Sequence, residues 1–429
     1  MSGGQIGVDR GATDPRSTWL SMGEAAKTAE RVARDSYGRL LAYLASETRD
    51  LALAEDALSD AFAAALKTWP NTGAPKKPEA WLLTTARRRL IDQSRRSRVR
   101  DAATSDLGSL ADEAASCADA GGIPDRRLEL MFACTHPAID VDVRTPLILQ
   151  TVLGVDAGRI ASMYLVSPGA MSQRLVRAKT KIRDAGIPFR QPDPEDWPSR
   201  TTTLLDAVYA AYGLGWDDAE SGDDPIVGFS SEAEWLARLL VSLAPEDAEA
   251  LGLLSLILFC ESRRPARRDS IGQFVPLGEQ DTTLWRKDLI EEAKTLLFAS
   301  AQTGRPGRFQ IEAALQAKHA ERMATGQTDW RAIASLYRAL LAIAPSLGAM
   351  VAHAAALGEA ISPDVGLRAL DDLPEKRMSA YQPYWAARGH LLLQTGRRDE
   401  ARLALEKAAA MSLDRAVADY LREKAAKLI

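Results

Sequence analysis

The spacing of apolar residues is the feature that most restricts the fold of this chain. Between residues 37 and 44, and again between 54 and 69, apolar residues recur every three or four positions, which is the period of an amphipathic helix. The same spacing resumes after residue 201, and no segment shows the sustained alternation of a half-buried strand. The sequence therefore predicts an all-α fold.

Breaks in this pattern divide the chain into domains. A chain of 429 residues exceeds one ordinary core, so more than one domain is expected. Residues 70–78, PNTGAPKKP, contain three prolines and a glycine, so they are expected to form a loop. The expected segments are a disordered leader at 1–22, a first helical module at 23–100, a flexible acidic linker at 101–122, a second helical module at 123–190, a linker at 191–200 and a C-terminal helical domain at 201–429.

The composition argues against several classes of protein. Cys117, Cys134 and Cys260 have no paired spacing, and the Cys134–His136 pair has no second pair of ligands nearby, so neither a disulfide framework nor a metal site is expected. No window approaches the roughly 20 apolar residues that span a bilayer, and the N-terminus has no apolar signal segment. A phosphate-binding glycine loop, a nucleophile elbow and an HExxH motif are all missing. We expect a cytoplasmic protein without enzymatic activity, cofactor or membrane association.

A basic segment stands out in this acidic chain. Residues 81–100, WLLTTARRRLIDQSRRSRVR, contain seven arginines and one aspartate, whereas the whole chain has a net charge of -4. Such a local concentration of cations is typical of a phosphate-binding stripe. If Leu83, Ala86 and Leu90 face inward, the outer face combines one aromatic ring with threonines and arginines. That combination suits melting DNA, whose bases stack on aromatic rings. The alternatives are a solvated arginine face and a Trp81 ring that packs under the loop at 70–78.

The helix before this segment has the opposite charge. Glu55, Asp56, Ser59 and Asp60 share one face, and the like charges of Asp56 and Asp60 lie one turn apart, which mildly destabilises an isolated helix. A basic partner would relieve the repulsion. An ordinary solvated acidic face is the alternative.

Residues 168–182 are the second basic segment, and they have two distinct faces. Met171, Leu175, Ala178 and Ile182 fall on one narrow face, as expected for packing on a supporting helix. Ser167 and Pro168 provide the start signal of this helix. The opposite face carries Gln, Arg, Val and Thr, side chains that contact base edges in the major groove. Arg174, Lys179 and Lys181 flank this face, where phosphate contacts would fix the register. The pattern predicts the recognition helix of a helix-turn-helix, and a plain helical hairpin is the alternative.

The C-terminal part contains a degenerate repeat. In residues 386–414, Gly389, Ala401 and Ala408 lie where two antiparallel helices would approach closely, and Gly396 separates the two helices. At about residues 310–425 the spacing is similar to that of tetratricopeptide repeats, whose period is about 34 residues. Such hairpins stack into a short solenoid with a groove that binds proteins. An all-helical domain without a ligand is the alternative.

Three segments carry a resemblance to a known family. They are DLALAEDALSDAFAAALKTWP, KPEAWLLTTARRRLIDQSRR and LGVDAGRIASMYLVSPGAMSQRLVRAKTKIRDAGIPF. In this order they resemble regions two and four of bacterial extracytoplasmic-function (ECF) sigma factors. The C-terminal part is similar to the subgroup with a tetratricopeptide-like (TPR-like) extension. The segment FVPLGEQDTTLW at 274–285 also resembles this subgroup, without a function assigned to it.

The resemblance implies a sigma factor that binds core RNA polymerase and directs transcription from promoter DNA. By position, the expected contacts with the β′ clamp helices of the polymerase are made by Glu55, Asp56, Ser59 and Asp60. The expected minus-ten contacts are made by Lys76, Lys77, Trp81, Thr84, Thr85, Arg88, Arg95 and Arg96. The expected minus-thirty-five contacts are made by Gly169, Ser172, Gln173, Arg174, Val176, Arg177, Thr180 and Lys181. The C-terminal domain is expected to contact the sigma modules or the polymerase and to regulate activity.

A different class of protein also fits the second basic helix. A helix-turn-helix regulator with a ligand- or protein-binding helical domain would use residues 168–182 in the same way. It would leave the arginine-rich helix and the acidic face of Asp56 and Asp60 without a purpose. Binding to core polymerase distinguishes the two.

Overall fold

The computed structural model describes residues 15–98, 123–164, 166–218 and 228–428. The predicted linker at 101–122 and residues 1–14 of the predicted leader lie outside these ranges. Within the described ranges the chain is built from helices without a β-strand, and its one extended pairing is an isolated bridge between Arg268 and Phe274. The prediction of an all-α fold is confirmed. The chain forms two compact units, residues 1–207 and 208–429.

The first unit contains both predicted sigma modules. Its helices are α1 (Pro15–Thr48), α2 (Leu51–Thr72), α3 (Pro78–Arg98), α4 (Arg127–Cys134), α5 (Val141–Thr151), α6 (Ala157–Met163) and α7 (Pro168–Asp184). Helix α8 (Trp197–Asp218) begins in the first unit and ends in the second. The predicted linker at 191–200 is therefore partly helical, and the Trp197 indole donates to the Pro192 carbonyl at 3.2 Å.

Two helix ends differ from the sequence prediction. Helix α1 begins at Pro15, inside the segment 1–22 that was expected to be a disordered leader. Helix α2 continues to Thr72 and includes Pro70, so the expected loop at 70–78 is shorter than predicted. Pro70 has no N–H to donate along the helix, and α2 ends two residues after it. Gly73, with a φ of 79°, ends the helix and donates its N–H to the Trp69 carbonyl at 2.9 Å.

The two modules of the first unit pack against each other. Helix α1 contacts α2 and α3 of its own module and also α4 and α5 of the other. Gly38 on α1 lies so close to the end of α5 that an added Cβ would be 1.7 Å from the Val152 carbonyl oxygen. Next to this contact, the ring of Tyr37 on α1 covers Gly154, which follows α5 and has a φ of 68°. This contact requires a residue without a side chain at position 38.

The second unit consists of helices joined mainly by short turns. Its helices after α8 are α9 (Gly228–Leu243), α10 (Ala248–Arg263), α11 (Lys287–Gln302), α12 (Arg308–Ala320), α13 (Arg322–Thr325), α14 (Trp330–Ile343), α15 (Leu347–Ala360), α16 (Pro363–Asp371), α17 (Glu375–Met378), α18 (Gln382–Gln394), α19 (Arg398–Met411) and α20 (Arg415–Ala426). Helix α10 is buried along most of its length and packs against α11 and α12. A long segment with three short 3-10 helices connects α10 to α11.

The predicted hairpin near the C-terminus is present. Helices α18 and α19 pack against each other on either side of Gly396, which has a φ of 77°. A Cβ added at Gly389 would lie 2.8 Å from the Leu405 side chain, and Ala401 and Ala408 are fully buried. Small residues therefore allow the two backbones to approach. The assignment of this region to the TPR class stays a prediction.

Within the described ranges, no helix combines the length and the apolar character that crossing a membrane requires.

Candidate nucleic-acid interface

Helices α6 and α7 are four residues apart in the sequence, and their starts are fixed by side-chain caps. Asp156 caps α6 by accepting from the N–H groups of Gly158 at 2.8 Å and Arg159 at 3.3 Å. Ser167 caps α7 by accepting from the Ala170 N–H at 3.3 Å, and Pro168 occupies the first turn. Both arrangements satisfy N–H groups that the first helical turn leaves without partners. The local sequence thus sets where α7 begins.

The two faces of α7 are separated as the sequence predicts. Met171, Leu175, Ala178 and Ile182 are buried. The residues predicted to contact the minus-thirty-five element lie on the accessible side; the exposed ones are Gly169, Ser172, Gln173, Arg174, Val176, Arg177 and Lys181, and Thr180 is half-buried. Val176 is an apolar side chain that is 61% exposed. An apolar group held in water between polar ones is the arrangement that contact with a thymine methyl uses.

A groove of about 480 Å³ runs beside α7. Arg174, Arg177 and Lys181 lie on its basic wall, and Asp140 and Asp142 line the opposite side. Asp140 caps α5 by accepting from the Asp142 N–H at 3.1 Å. Because these carboxylates repel phosphate, the electrostatics favour an anionic backbone along α7 itself and disfavour one over the start of α5.

Lys179 differs from the other basic residues of α7. The sequence places it beside the base-reading face as a phosphate contact, but it is only 6% exposed and forms an ion pair with Glu55 of α2. The expectation for Lys179 is wrong because the first module covers this side of α7. Nearby, Arg183 lies 3.9 Å from Asp50. The two modules are therefore joined by opposite charges as well as by the Gly38 contact.

The same ion pair changes the acidic face of α2. Asp56, Ser59 and Asp60 are exposed, whereas Glu55 is half-buried and also accepts from the Tyr37 hydroxyl at 3.4 Å. Burial raises the pKa of Tyr37, and the negative charge of Glu55 raises it further. Three of the four predicted polymerase contacts are thus accessible, and Glu55 is engaged within the unit.

One arginine of α3 belongs to the core. Arg87 is 5% exposed; its Nε donates to Glu47 at 3.1 Å, and its Nη2 donates to the Tyr43 hydroxyl at 2.7 Å. Burial lowers the pKa of Arg87, but the hydrogen bonds and negative charge of Glu47 outweigh burial, so the pKa is raised. Arg88, the next residue, is exposed. The basic stripe is therefore smaller than the arginine count of the sequence suggests.

The remaining minus-ten candidates have different surroundings. Lys76 and Lys77 are exposed in the loop before α3. Trp81 is half-buried, and its ring packs edge-on against the buried Trp69 with centroids 5.4 Å apart. The hydroxyls of Thr84 and Thr85 each donate to a backbone carbonyl one turn earlier at 2.8 Å. The side chains of Arg95 and Arg96 lie outside the described residues.

These contacts limit what α3 offers to DNA. Phosphate oxygens only accept hydrogen bonds, so Thr84 and Thr85 cannot donate to them while their protons are held by the helix. The Trp69 contact supports the alternative in which Trp81 packs close to the loop, and Trp81 keeps only part of its surface exposed. Among the predicted minus-ten residues, Arg88 is the described arginine of α3 that is exposed and therefore accessible to a phosphate.

Arg87 and Arg88 provide a test that separates stability from binding. Replacing Arg87 with Met is expected to lower the free energy of unfolding by about 3 kcal/mol, because Glu47 would keep a buried charge without its partner. Arg88→Met is expected to change the stability by less than about 0.5 kcal/mol and to weaken binding to a single-stranded minus-ten oligonucleotide. Urea denaturation and fluorescence anisotropy measure the two effects. Equal stability of the two variants would contradict the structural assignment of Arg87.

Cys134 and His136 both make contacts with nearby residues of their own module. Cys134 is buried, its sulfur lies 3.7 Å from the Thr151 hydroxyl, and burial raises its pKa to about 12. His136 accepts from the Ala138 N–H at 3.1 Å through Nδ1. The described part of the chain holds no group of three or more His, Cys, Asp or Glu side chains arranged for a metal ion.

Comparison with known families identifies two parts of the chain. Residues 32–100, which include the acidic face of α2 and the basic helix α3, match sigma-70 region 2. Residues 200–301 match a family of unknown function, DUF6596. No solved structure matches the chain. The region 2 match supports a sigma-70 family factor with a role in RNA polymerase binding and transcription initiation.

Most of the chain also aligns with a relative over most of that relative's length. This relative is the uncharacterized protein R00370 of Rhizobium meliloti (strain 1021), and the two sequences are 37% identical over 390 residues. The aligned region covers 90% of this chain and 91% of the rhizobial protein. The chain therefore belongs to the same family as this rhizobial protein. The alignment extends through both units, so the C-terminal unit is a shared part of the family.

Proposed function

We propose that the protein is an ECF-type sigma factor in which one compact unit carries the polymerase and promoter contacts. In this proposal Asp56, Ser59 and Asp60 bind the clamp helices of the polymerase β′ subunit. The loop with Lys76 and Lys77, together with α3, binds the melted minus-ten element. Helix α7 acts as the recognition helix of a helix-turn-helix and reads the minus-thirty-five element.

The observation that carries the proposal is the exposed outer face of α7. Gln173 can pair with adenine and Arg177 with guanine, and both are exposed one turn apart on the same side of the helix. Arg174 and Lys181 flank them, where phosphate contacts would fix the register on the duplex. The region 2 match favours a sigma factor over a helix-turn-helix regulator, because that class of regulator has no use for the acidic face.

A reconstituted assay tests the proposal. Core RNA polymerase and the purified chain are incubated with a genomic DNA library, transcripts are sequenced, and start sites are mapped. We expect new start sites that share two sequence elements, and we expect immobilised chain to retain core polymerase. A chain that binds duplex DNA but does not retain core polymerase would instead be the helix-turn-helix regulator.

Arg177 offers a sharper test of base reading. Replacing Arg177 with Ala is expected to cost about 1–3 kcal/mol of affinity for the minus-thirty-five duplex and to relax specificity at one base pair. The matched control is Arg190→Ala, because Arg190 is exposed in the same unit but lies outside α7. Anisotropy with duplexes that vary at each position measures both effects. A uniform loss of affinity across all duplexes would assign Arg177 to the phosphates instead.

The proposal also gives the second unit a regulatory role. Its antiparallel hairpins, which include the close approach at Gly389, support a TPR-like domain that contacts either the sigma modules or the polymerase. The test is a chain that ends after Asp218, so that α8 is kept whole. We expect its promoter output to differ from that of the full chain in the reconstituted assay. Unchanged output would remove the regulatory part of the proposal.

A further inference from the structure

The second unit contains a cavity of about 610 Å³, a volume within the range of small-molecule sites. Its walls come from segments that are far apart in sequence. They include α8, α10, α12, α14 and α15, together with residues of the long connection between α10 and α11. Two of the wall segments lie outside the predicted sigma modules. They are YAAYGLGWD on α8 and FVPLGEQDTTLW in the connection.

Arg263 places a positive charge at this cavity. The side chain lines the cavity and is only 6% exposed. Its Nη2 donates to the Gln316 amide oxygen at 2.5 Å and lies 3.7 Å from the Cys260 sulfur, and both of these partners are neutral. Its Nη1 is buried without a hydrogen-bond partner in the described part of the chain. A buried guanidinium group with an unused donor is costly unless an anion pairs with it.

The surrounding groups leave this charge uncompensated. Glu312 also lines the cavity, but it accepts from Arg308 at 2.8 Å, so its charge is already paired. Burial, together with the positive charges of Arg263 and Arg322, lowers the pKa of His319 to about 4, so His319 is neutral at pH 7. The cavity therefore has a net positive character, which favours an anionic ligand.

Aromatic rings and one polar acceptor complete the walls. Tyr209, Phe274 and Tyr337 line the cavity and are half-buried. Gln280 donates through Nε2 to the Val275 carbonyl at 3.3 Å, while its buried Oε1 has no hydrogen-bond partner among the described residues. An unused donor, an unused acceptor and apolar rings are thus present together. A ligand with a carboxylate, a ring and a hydroxyl group would complement all three.

We propose that this cavity binds a small aromatic carboxylate that also carries a hydroxyl group. Its carboxylate accepts from Arg263 Nη1, its ring packs against the tyrosines and Phe274, and its hydroxyl donates to Gln280 Oε1. The site lies wholly within the second unit and does not depend on the assignment of the promoter contacts.

Calorimetry with the full-length chain tests this site, and 4-hydroxybenzoate is the probe. We expect it to bind more tightly than phenol, which lacks the carboxylate, and more tightly than acetate, which lacks the ring. Arg263→Met is expected to weaken binding about tenfold or more, since hydrogen bonds to charged groups are the strong ones. The matched control is Arg305→Met, because Arg305 is exposed and lies outside the cavity; its affinity should equal that of the unmodified chain.

A second variant covers the case in which Arg263→Met does not fold. Gly213 lines the cavity, and a Cβ added there meets nothing within 4 Å, so Gly213→Leu is expected to place its side chain in the cavity. We expect this variant to lose 4-hydroxybenzoate binding while its circular dichroism spectrum stays unchanged. The proposal is overturned if the unmodified chain binds none of the probes, if phenol binds as well as 4-hydroxybenzoate, or if either cavity variant keeps full affinity.

Discussion

Replacing both Asp56 and Asp60 with Lys is expected to reduce promoter-directed transcription about 100-fold. The two carboxylates are exposed one turn apart on α2, within the part of the chain that matches sigma-70 region 2. If their partner is a basic surface of the polymerase, the variant puts like charges against each other, which costs several kcal/mol. A loss of about 2.7 kcal/mol already corresponds to a 100-fold weaker complex. Native gel shift of core polymerase and transcription from a matched promoter measure the two effects.

The control for this variant makes the same change of charge elsewhere. Asp419 and Glu423 are exposed one turn apart on α20, and their ion pairs at the surface contribute little to stability. Replacing both with Lys should leave polymerase binding unchanged. If the control loses as much activity as the α2 variant, the effect comes from net charge, and the acidic face has no specific role.

The same glycine-to-alanine change is expected to have opposite effects at two positions of the chain. Gly213→Ala should stabilise the protein by about 0.5–1 kcal/mol, since Ala is the better helix former and the added Cβ meets nothing within 4 Å. Gly38→Ala should destabilise it by about 1–3 kcal/mol, because the added Cβ would lie 1.7 Å from the Val152 carbonyl oxygen. Helix α1 or the end of α5 has to move in that variant.

Hydrogen-exchange mass spectrometry together with urea denaturation measures this difference. We expect peptides that contain Gly38 or Val152 to exchange faster in the Gly38→Ala variant and at an unchanged rate in the Gly213→Ala variant. Equal exchange in the two variants would mean that the modules do not meet at this contact in solution.

The Gly38 contact also bears on the proposed function. In a B-form duplex, elements about 25 base pairs apart are separated by about 85 Å. A compact unit of about 200 residues has a radius of gyration of only about 17 Å. If the unit binds both elements as proposed, it cannot do so with its modules packed together. In that case the contact at Gly38 and the ion pair between Lys179 and Glu55 would have to open when the polymerase engages a promoter. Gly38→Ala would favour that opening.

The sequence predicts features that depend on neighbouring residues. The start of α7 follows from Ser167 and Pro168, and its two faces follow from a helical period that the local chain enforces. The hairpin of α18 and α19 is predictable for the same reason, since Gly389 and Gly396 act on adjacent helices. Helix ends are predicted less well. Pro70 predicts the end of a helix, yet α2 includes it and continues to Thr72.

The roles of individual charges could not be read from the sequence. Arg87 and Arg88 are adjacent and chemically identical, but one pairs with Glu47 in the core and the other is exposed. Lys179 forms an ion pair with Glu55, which is 124 positions away in the sequence, and no local sequence pattern predicts that pair. The sequence gives no sign that Arg263 and Gln280 line one cavity with Tyr337.

The amino-acid sequence by itself determined the all-α class, the position of α7 and the acidic and basic faces of the first module, because helical period, caps and local charge are properties of residues within a few positions of each other. Only the tertiary structure decided which of these charges are available to a partner and which are paired or buried inside the protein. The physical reason is that the availability of a charge depends on burial and on a counter-ion, and packing brings both from distant parts of the chain.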